Sequence, residues 1–361
     1  MRTITHILYS GLGGHASVVF SYLQGRFLDA YDHHLLFFGT EELVPEYKVF
    51  CEERGIAYSF VRKTPLPGLG YLISIVGTLR RTTPSVVIVH SLPTVPLAIL
   101  HRVSSRVPII LVEHASVALK RRIDIVWTLL AHLFAQRIVY LTHLAVRESK
   151  ARFRFFVNPK KCGVIPNGID LVRFSPRTRF GTSTMSLATH CRLAPVKDLG
   201  TLIRGVSLLK GRLDPKLTIA GDGPSMASLM ALVVELGLED DVTFSGLLTE
   251  KGVIDLLRDA DIYLNTSTIE TMSTSLMQAM ASGLPCIASD IQANLDMIED
   301  GVNGASFSVS DPEDLAVKIE DLWTRPDRGR SLGESARAWA RDHFSNQSMA
   351  DRYHDLVGEF L

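Results

Sequence analysis

The chain has 361 residues, 46% of them hydrophobic and 21% charged, and its formal net charge is zero. That composition excludes a disordered, collagen-like or disulfide-stapled protein, and the length suits two domains, each with its own core. Charge is unevenly shared: residues 1–175 hold 21 Lys plus Arg against 11 Asp plus Glu, net +10, and the remainder 17 against 27, net −10. Such asymmetry suits two lobes of opposite sign, or a basic lobe meeting an anionic surface. The four cysteines, Cys51, Cys162, Cys191 and Cys286, lack metal-ligand spacing and read as reduced core residues. No basic-then-apolar leader opens the chain. Its most apolar windows, Ser85 to Leu100 and Ile123 to Ala135, are interrupted by His90, Pro93 and Pro96 or are too short for a bilayer. A soluble or peripheral cytoplasmic protein is expected.

Thr3 to Tyr9 reads as a strand, Gly11-Leu12-Gly13-Gly14 as a tight turn and Ala16 to Leu28 as a helix. Gly11, Gly13 and Ala16 satisfy a relaxed dinucleotide fingerprint, but the acidic residue expected at the tip of the second strand has no good counterpart after His33 to Phe38. His15 suits either a hydrogen bond in that turn or a helix cap. Apolar runs then alternate with helical patterns: IAYSFV, a helix from Gly70 to Arg81, SVVIVH, a helix from Thr94 to Val103, VPIILVEH, a long helix from about Val117 to Gln136, RIVYLT, a helix through Arg152, and KCGVIPNG. That alternation predicts an α/β fold with a parallel sheet covered on both faces. Polar residues at the carboxyl ends of such strands face the ligand crevice, here His90 with Ser91, and Glu113 with His114. His90 alone reads as a packed strand-end histidine. Lys120, Arg121 and Arg122, then Arg147, Lys150, Arg152, Arg154, Lys160 and Lys161, form a basic tract. Without aromatic interleaving or a nucleic-acid module it points away from nucleic acid, and it suits either a solvated face or a peripheral contact with an anionic membrane.

VIPNGIDLVRFSP (Val164 to Pro176) closes a first domain of residues 1–175, and the polar run Arg177 to Ser186 is the linker into a second, 176–343. SLATHCRLAPVKDLG predicts a strand, a loop with Arg192 and Lys197, and a helix; two cations so placed can neutralise a diphosphate, Arg as a fork and Lys as a point charge. Glycine turns follow at Gly221-Asp222-Gly223 and Gly246. Asp259 and Asp261 make an Asp-x-Asp, but a helix end followed by a strand start would part the two carboxylates, so no metal is assigned to them. The strand ADIYLNTST (Ala260 to Thr268) leads into IETMSTSLMQAMASGLP (Ile269 to Pro285), where Met272, Leu276, Ala279, Met280 and Gly283 recur at helical spacing. A helix starting near Ser273 offers unpaired N–H groups to a phosphate, and Ser273, Thr274 and Ser275 add hydroxyls. Glu270 and Gln278 lie eight residues apart, roughly 12 Å if near-helical, about the span from a sugar ring to the ribose of a sugar nucleotide; on these residues alone a capped amphipathic core helix with an exposed Glu fits equally. Residues 344–361 form a last helix.

Glu270 with the run Ala279-Met280-Ala281-Ser282-Gly283-Leu284-Pro285 resembles the signature of the retaining glycosyltransferases of family 4, built on two Rossmann-like domains facing across a cleft (GT-B). Two departures stand out: the family's second Glu is Gln278 here, and its usual glycines are Thr271 and Ser273. The resemblance implies transfer of a sugar from a nucleoside-diphosphate sugar, with UDP or GDP, to a glycan or lipid-linked acceptor, with retention and without a metal or other cofactor. It places Glu270 and His114 on the donor sugar, Arg192 and Lys197 on the diphosphate, and Gln278 on the ribose. Gly13, Gly14 and Gly221 would line the phosphates and pocket, and backbone groups near Leu247 and Leu248 would hold the base. It also implies that the last helix returns to the first domain. A sugar-nucleotide epimerase and a non-catalytic sugar-nucleotide-binding relative remain open alternatives; a dehydrogenase is disfavoured by the missing acidic residue.

Overall fold

The computed structural model describes every residue except 1, 12–13, 64–68, 116, 118–119 and 177–183. The chain divides into two units, residues 1–168 with 346–361, and residues 169–345. Each is a Rossmann-like domain around one parallel sheet.

In the first unit the strands are β1 (Thr3–Tyr9), β2 (Asp32–Gly39), β3 (Ala57–Arg62), β4 (Val86–Val89), β5 (Ile109–Glu113), β6 (Arg137–Tyr140) and β7 (Cys162–Val164). Their order is β3-β2-β1-β4-β5-β6-β7, every pair parallel. β4 and β5 are buried at every residue, which is why they read as continuous apolar runs rather than alternating ones. The helix Asn346–Gly358 belongs to this unit: Met349, Ala350, Tyr353 and Val357 join its core, and Tyr353 stacks on Tyr22 at 4.1 Å.

Several sequence expectations are corrected by side-chain partners. Two helices, Gly14–Tyr22 and Gly25–Ala30, stand where one was expected over 16–28, because Gly25 takes a left-handed φ of +52°. The helix expected from about Val117 spans Arg122–Phe134. Just before it, Asp124 accepts from both the backbone N–H and the guanidinium of Arg121 at 3.1 and 2.9 Å. Lys120 turns inward, 2.5 Å from Glu113 Oε2 and 2.9 Å from Thr128 Oγ1. With side chains 1% and 3% exposed, Lys120 and Glu113 form a buried pair, so Lys120 leaves the basic surface. Burial pushes the Glu113 carboxyl above its usual range and Lys120 opposes that shift. The first domain also ends earlier than Ser175. Ile169 N–H donates to the Phe344 carbonyl at 2.6 Å, and Arg337, on the helix Pro326–Phe344, bonds the carbonyls of Phe174 and Leu171, so 169–174 fold with the second unit. All four cysteines are free thiols, but only Cys51 and Cys286 are buried; Cys162 and Cys191 are half-buried.

The second unit holds β8 (Ser186–His190), β9 (Lys216–Ala220), β10 (Val242–Gly246), β11 (Ile262–Asn265), β12 (Cys286–Ser289) and β13 (Ala305–Phe307), in the order β10-β9-β8-β11-β12-β13, all parallel. As in the first unit, the chain lays strands to one side of its first strand and then to the other. The strand order therefore reverses between β8 and β11, and in open α/β sheets ligands bind outside the carboxyl ends of the strands at such a switch. Among the described residues no helix is long and apolar enough to cross a membrane.

Candidate functional site

The loop after β11 is fastened from three sides. Asn265 Oδ1 accepts from Ser267 N–H at 3.1 Å, and its amide nitrogen donates to Ser273 Oγ at 2.9 Å. Thr266 Oγ1 donates to the Lys197 carbonyl and Thr268 N–H to the Val196 carbonyl, both at 2.8 Å, which ties the loop to the turn after β8. From β12, Ser289 Oγ donates to the Ser267 carbonyl at 2.5 Å, and Asn294 Nδ2 holds that serine at 3.0 Å. Glu270 thus rides on a preorganised loop at the β8/β11 switch.

There Glu270 Oε1 meets Lys197 Nζ in a short ion pair and accepts from Ser267 Oγ at 3.0 Å. The pair is mostly buried, with side chains 11% and 19% exposed, which strengthens it relative to a surface bridge and leaves one carboxylate oxygen, Oε2, for a ligand. Lys197 is therefore compensated by a carboxylate, which the sequence does not reveal. Arg192 is exposed and has no side-chain partner among the described residues.

His190, the last residue of β8, escapes the sequence reading. Its Nε2 donates to Gln278 Oε1 at 2.6 Å, and its Nδ1 is buried without a partner among the described residues. Burial holds this imidazole at about 4; Gln278 raises it and the Lys197 charge lowers it, and the ring is neutral near pH 7. Its place at a strand's carboxyl end, two residues before Arg192, is the signal that was available. The bond also changes Gln278: one lone pair of its acceptor oxygen is already taken, so the amide NH₂ is the group it offers most freely. Gln278→Glu is expected to keep nucleotide affinity within about tenfold of the parent, since a charge-assisted bond exceeds a neutral one by about 1 kcal/mol. It should also raise the pH at which His190 protonates, because a carboxylate then faces the ring. Calorimetry and histidine NMR titration check both; an unmoved His190 would refute the pairing.

The helix Thr274–Ala281 starts as expected, with Ser273 as its cap. The cap engages Ser273: its hydroxyl is buried, accepts from Leu276 N–H at 3.4 Å and from Asn265, and lies 3.2 Å from Ser275 Oγ. Thr274 is exposed, so the Thr274 and Ser275 N–H groups carry the anion-binding potential of this end. After β9, Gly221 takes φ +131° and donates to the Gly246 carbonyl at 2.7 Å, bringing together the turns after β9 and β10. Leu247, 73% exposed, and half-buried Leu248 follow. Asp261 lies at the amino end of β11, where its Oδ2 accepts from Ser186 N–H at 2.9 Å, so the Asp-x-Asp sits at the opposite end of the sheet from Glu270. In the first unit His114 follows β5 and its Nε2 lies 3.2 Å from His90 Nδ1. Gly14 opens a helix, and Gly13 lies outside the described residues.

Two family models match, Glycosyltransferase Family 4 over residues 13–173 and Glycosyl transferases group 1 over residues 186–339. The chain is 28% identical over 166 residues to N-acetyl-alpha-D-glucosaminyl L-malate synthase of Bacillus anthracis, covering 46% of this chain and 43% of that protein. It is 29% identical over 198 residues to MMP alpha-(1->4)-mannosyltransferase of Mycolicibacterium hassiacum, covering 54% and 48%. The chain thus spans about half the length of the curated relatives it matches. Among solved structures, Anabaena HepE in complex with UDP-glucose superposes with a TM-score of 0.84 at 17% identity, over 99% of this chain and 100% of that one, a likeness of fold. Together with the two Rossmann-like sheets, these matches establish that the chain belongs to the group 1, family 4 glycosyltransferases of the GT-B fold.

Proposed function

We propose that the chain is a retaining glycosyltransferase that moves a sugar from a UDP- or GDP-sugar to an acceptor hydroxyl, without a metal, in bacterial polysaccharide or lipid-linked glycan synthesis. The observation that carries this reading is the gathering of Lys197, Glu270, His190 and Gln278 at the β8/β11 switch, beside a helix start. As the bond from anomeric carbon to phosphate oxygen breaks, charge grows on the diphosphate. Arg192, Lys197 and the N–H groups of Thr274 and Ser275 stabilise it, an electrostatic task well suited to fixed donors. Glu270 Oε2 accepts from the donor sugar's hydroxyls, and the Gln278 amide meets the ribose. A leaving phosphate oxygen takes the acceptor's proton on the same face. Backbone groups at Leu247 and Leu248 hold the base beside the Gly221 turn, and in the first unit His114, Gly13 and Gly14 serve the donor. Exposed Leu100, Val103, Ile123, Val126, Leu133 and Phe134, on the helices Val95–Ser105 and Arg122–Phe134, stand with exposed Arg106, Arg121 and Arg122. That mixture supports a peripheral contact with anionic membrane.

A panel of UDP-, GDP- and ADP-sugars tests the reading. Sugar transfer is expected from one of them, with the anomeric configuration retained in the product by NMR and turnover surviving EDTA. Arg192→Ala should weaken nucleoside-diphosphate binding by about 1.5 to 3 kcal/mol and nucleoside binding far less. Unchanged diphosphate affinity would remove Arg192 from the phosphate site. Gln278 in place of a carboxylate favours a second reading, a nucleotide-sugar-binding relative without catalysis; binding without transfer from any donor would establish it.

A further inference from the structure

Among the described residues five non-glycine positions take a left-handed backbone: Thr83, Arg106, Asp198, Asp214 and Ser310. Thr83, Arg106 and Asp214 stand before β4, β5 and β9, at the amino ends of the strands and away from the ligand crevice. Of the five, only Asp198 and Ser310 follow strands, β8 and β13, at the carboxyl ends. These two are bonded to each other: Ser310 Oγ donates to Asp198 Oδ2 at 2.7 Å across 112 residues of chain. Backbone of this kind persists in an aspartate only where its surroundings enforce it, and such positions cluster at functional sites.

Three elements enforce it at Asp198. The same Oδ2 accepts from Thr201 Oγ1 at 2.9 Å, on the helix Leu199–Ser207, whose Leu199, Leu202, Ile203 and Val206 lie in the core. Asp198 N–H donates to the Pro195 carbonyl at 3.1 Å and Lys197 N–H to the Ala194 carbonyl at 2.9 Å, which closes one tight turn. Thr266 and Thr268 hold the Lys197 and Val196 carbonyls, and both threonines belong to the β11 loop that carries Glu270. Asp198, at φ +44° and ψ +46°, is thus the joint between a turn fastened to the β11 loop and a helix fastened to the core. Lys197 is the residue just before that joint, held by its N–H, its carbonyl and its ion pair with Glu270.

We propose that Asp198 is a positioning residue: a left-handed joint, locked by the Thr201 and Ser310 hydroxyls, that keeps Lys197 aimed at Glu270 and the phosphate site. It touches no substrate and acts through Lys197. A lysine whose backbone and ammonium are both fixed has little rotamer freedom left to lose when a phosphate arrives. The gain in phosphate binding rests on the transferase reading; the aim of Lys197 at Glu270 does not.

Calorimetry with nucleoside diphosphate and bare nucleoside tests the first part. Asp198→Ala removes the lock and should weaken diphosphate binding about tenfold, within the ten- to hundredfold that one charge-assisted contact carries, with nucleoside affinity unchanged. Asp198→Asn tolerates the left-handed region and keeps an acceptor oxygen, so it should bind within about threefold of the parent. In a Lys197→Met background Asp198→Ala should have no further effect on diphosphate affinity, because its route is gone. If Asp198→Ala fails to fold, Thr201→Val combined with Ser310→Ala removes both donors and should give the same pattern. Reductive methylation read by mass spectrometry reports the aim without a ligand: Lys197 should label slowly in the parent and in Asp198→Asn, and severalfold faster in Asp198→Ala. An equal loss with and without Lys197, an equal loss for nucleoside, or Asp198→Asn as weak as Asp198→Ala overturns the joint. So does Lys197 labelling that stays unmoved in the folded variants. The expected labelling in a chain that binds no nucleoside diphosphate supports the joint and overturns the transferase reading instead.

Discussion

Glu270→Gln is expected to lower turnover by roughly a hundredfold or more while affinity for the bare nucleoside diphosphate stays level or rises. The substitution preserves shape and keeps an acceptor for Ser267, so the loop held by Asn265, Thr266 and Ser289 should stay in place. What it removes is charge. On the proposed reading Oε2 meets the sugar whose bond to phosphate is breaking, where charge develops only in the transition state, so the loss falls on kcat. It also frees Lys197, which Glu270 holds in the mostly buried pair, to face a diphosphate. Lys197→Met should do the reverse, weakening diphosphate binding and leaving Glu270 an uncompensated carboxylate. The two changes share one contact, so their effects should not add in a double-mutant cycle. Single-turnover assays with calorimetry read both quantities, and a Glu270→Gln enzyme that turns over like the parent would sink the assignment.

Gly221→Ala should be the most damaging small change at the turn after β9. Gly221 takes φ +131°, and a Cβ built there would lie 1.9 Å from the Cys191 carbonyl oxygen, a backbone atom that cannot swing aside as a side chain would. Strain and overlap together cost about 3 kcal/mol or more, so the melting temperature should fall on the order of 10 °C. Gly237→Ala is the control: φ is +63°, but nothing lies within 4 Å, so only the left-handed strain remains, about 1 kcal/mol. Thermal unfolding of the two variants separates crowding from strain. If both melt alike, the close approach of Gly221 to Cys191 is not what requires glycine.

Local patterns were legible where one stretch of chain carries all the physics. Continuous apolar runs mark β4, β5 and β11 because parallel strands covered on both faces leave no side for polar residues. The start of the helix Thr274–Ala281 was readable because a cap bonds three residues ahead. The Asp259–Asp261 pair could be set aside because consecutive residues decide helix end and strand start. The run from Glu270 to Pro285 carried the family, and with it the two-domain architecture.

What remained hidden depends on partners distant in the chain. His190 and Gln278 are 88 residues apart, and Lys197 and Glu270 are 73 apart; they meet because the strand order sets β8 beside β11. Without that order an amide opposite a neutral imidazole, or a lysine answered by a carboxylate, cannot be told from solvated side chains. Lys120 looked like one more surface cation, yet β5 carries Glu113 beneath it and draws it into the core. The buried histidines of the first unit are the extreme case. His90 read as an ordinary packed histidine, and only the adjacency of β2, β1 and β4 brings it together with His6 and His33 around Tyr22. Periodicity and capping are short-range, so the sequence determined elements, family and the residue types of the site. Hydrogen-bond direction and charge compensation belong to the tertiary structure, because they depend on which atoms the sheet order brings within about 3 Å of one another.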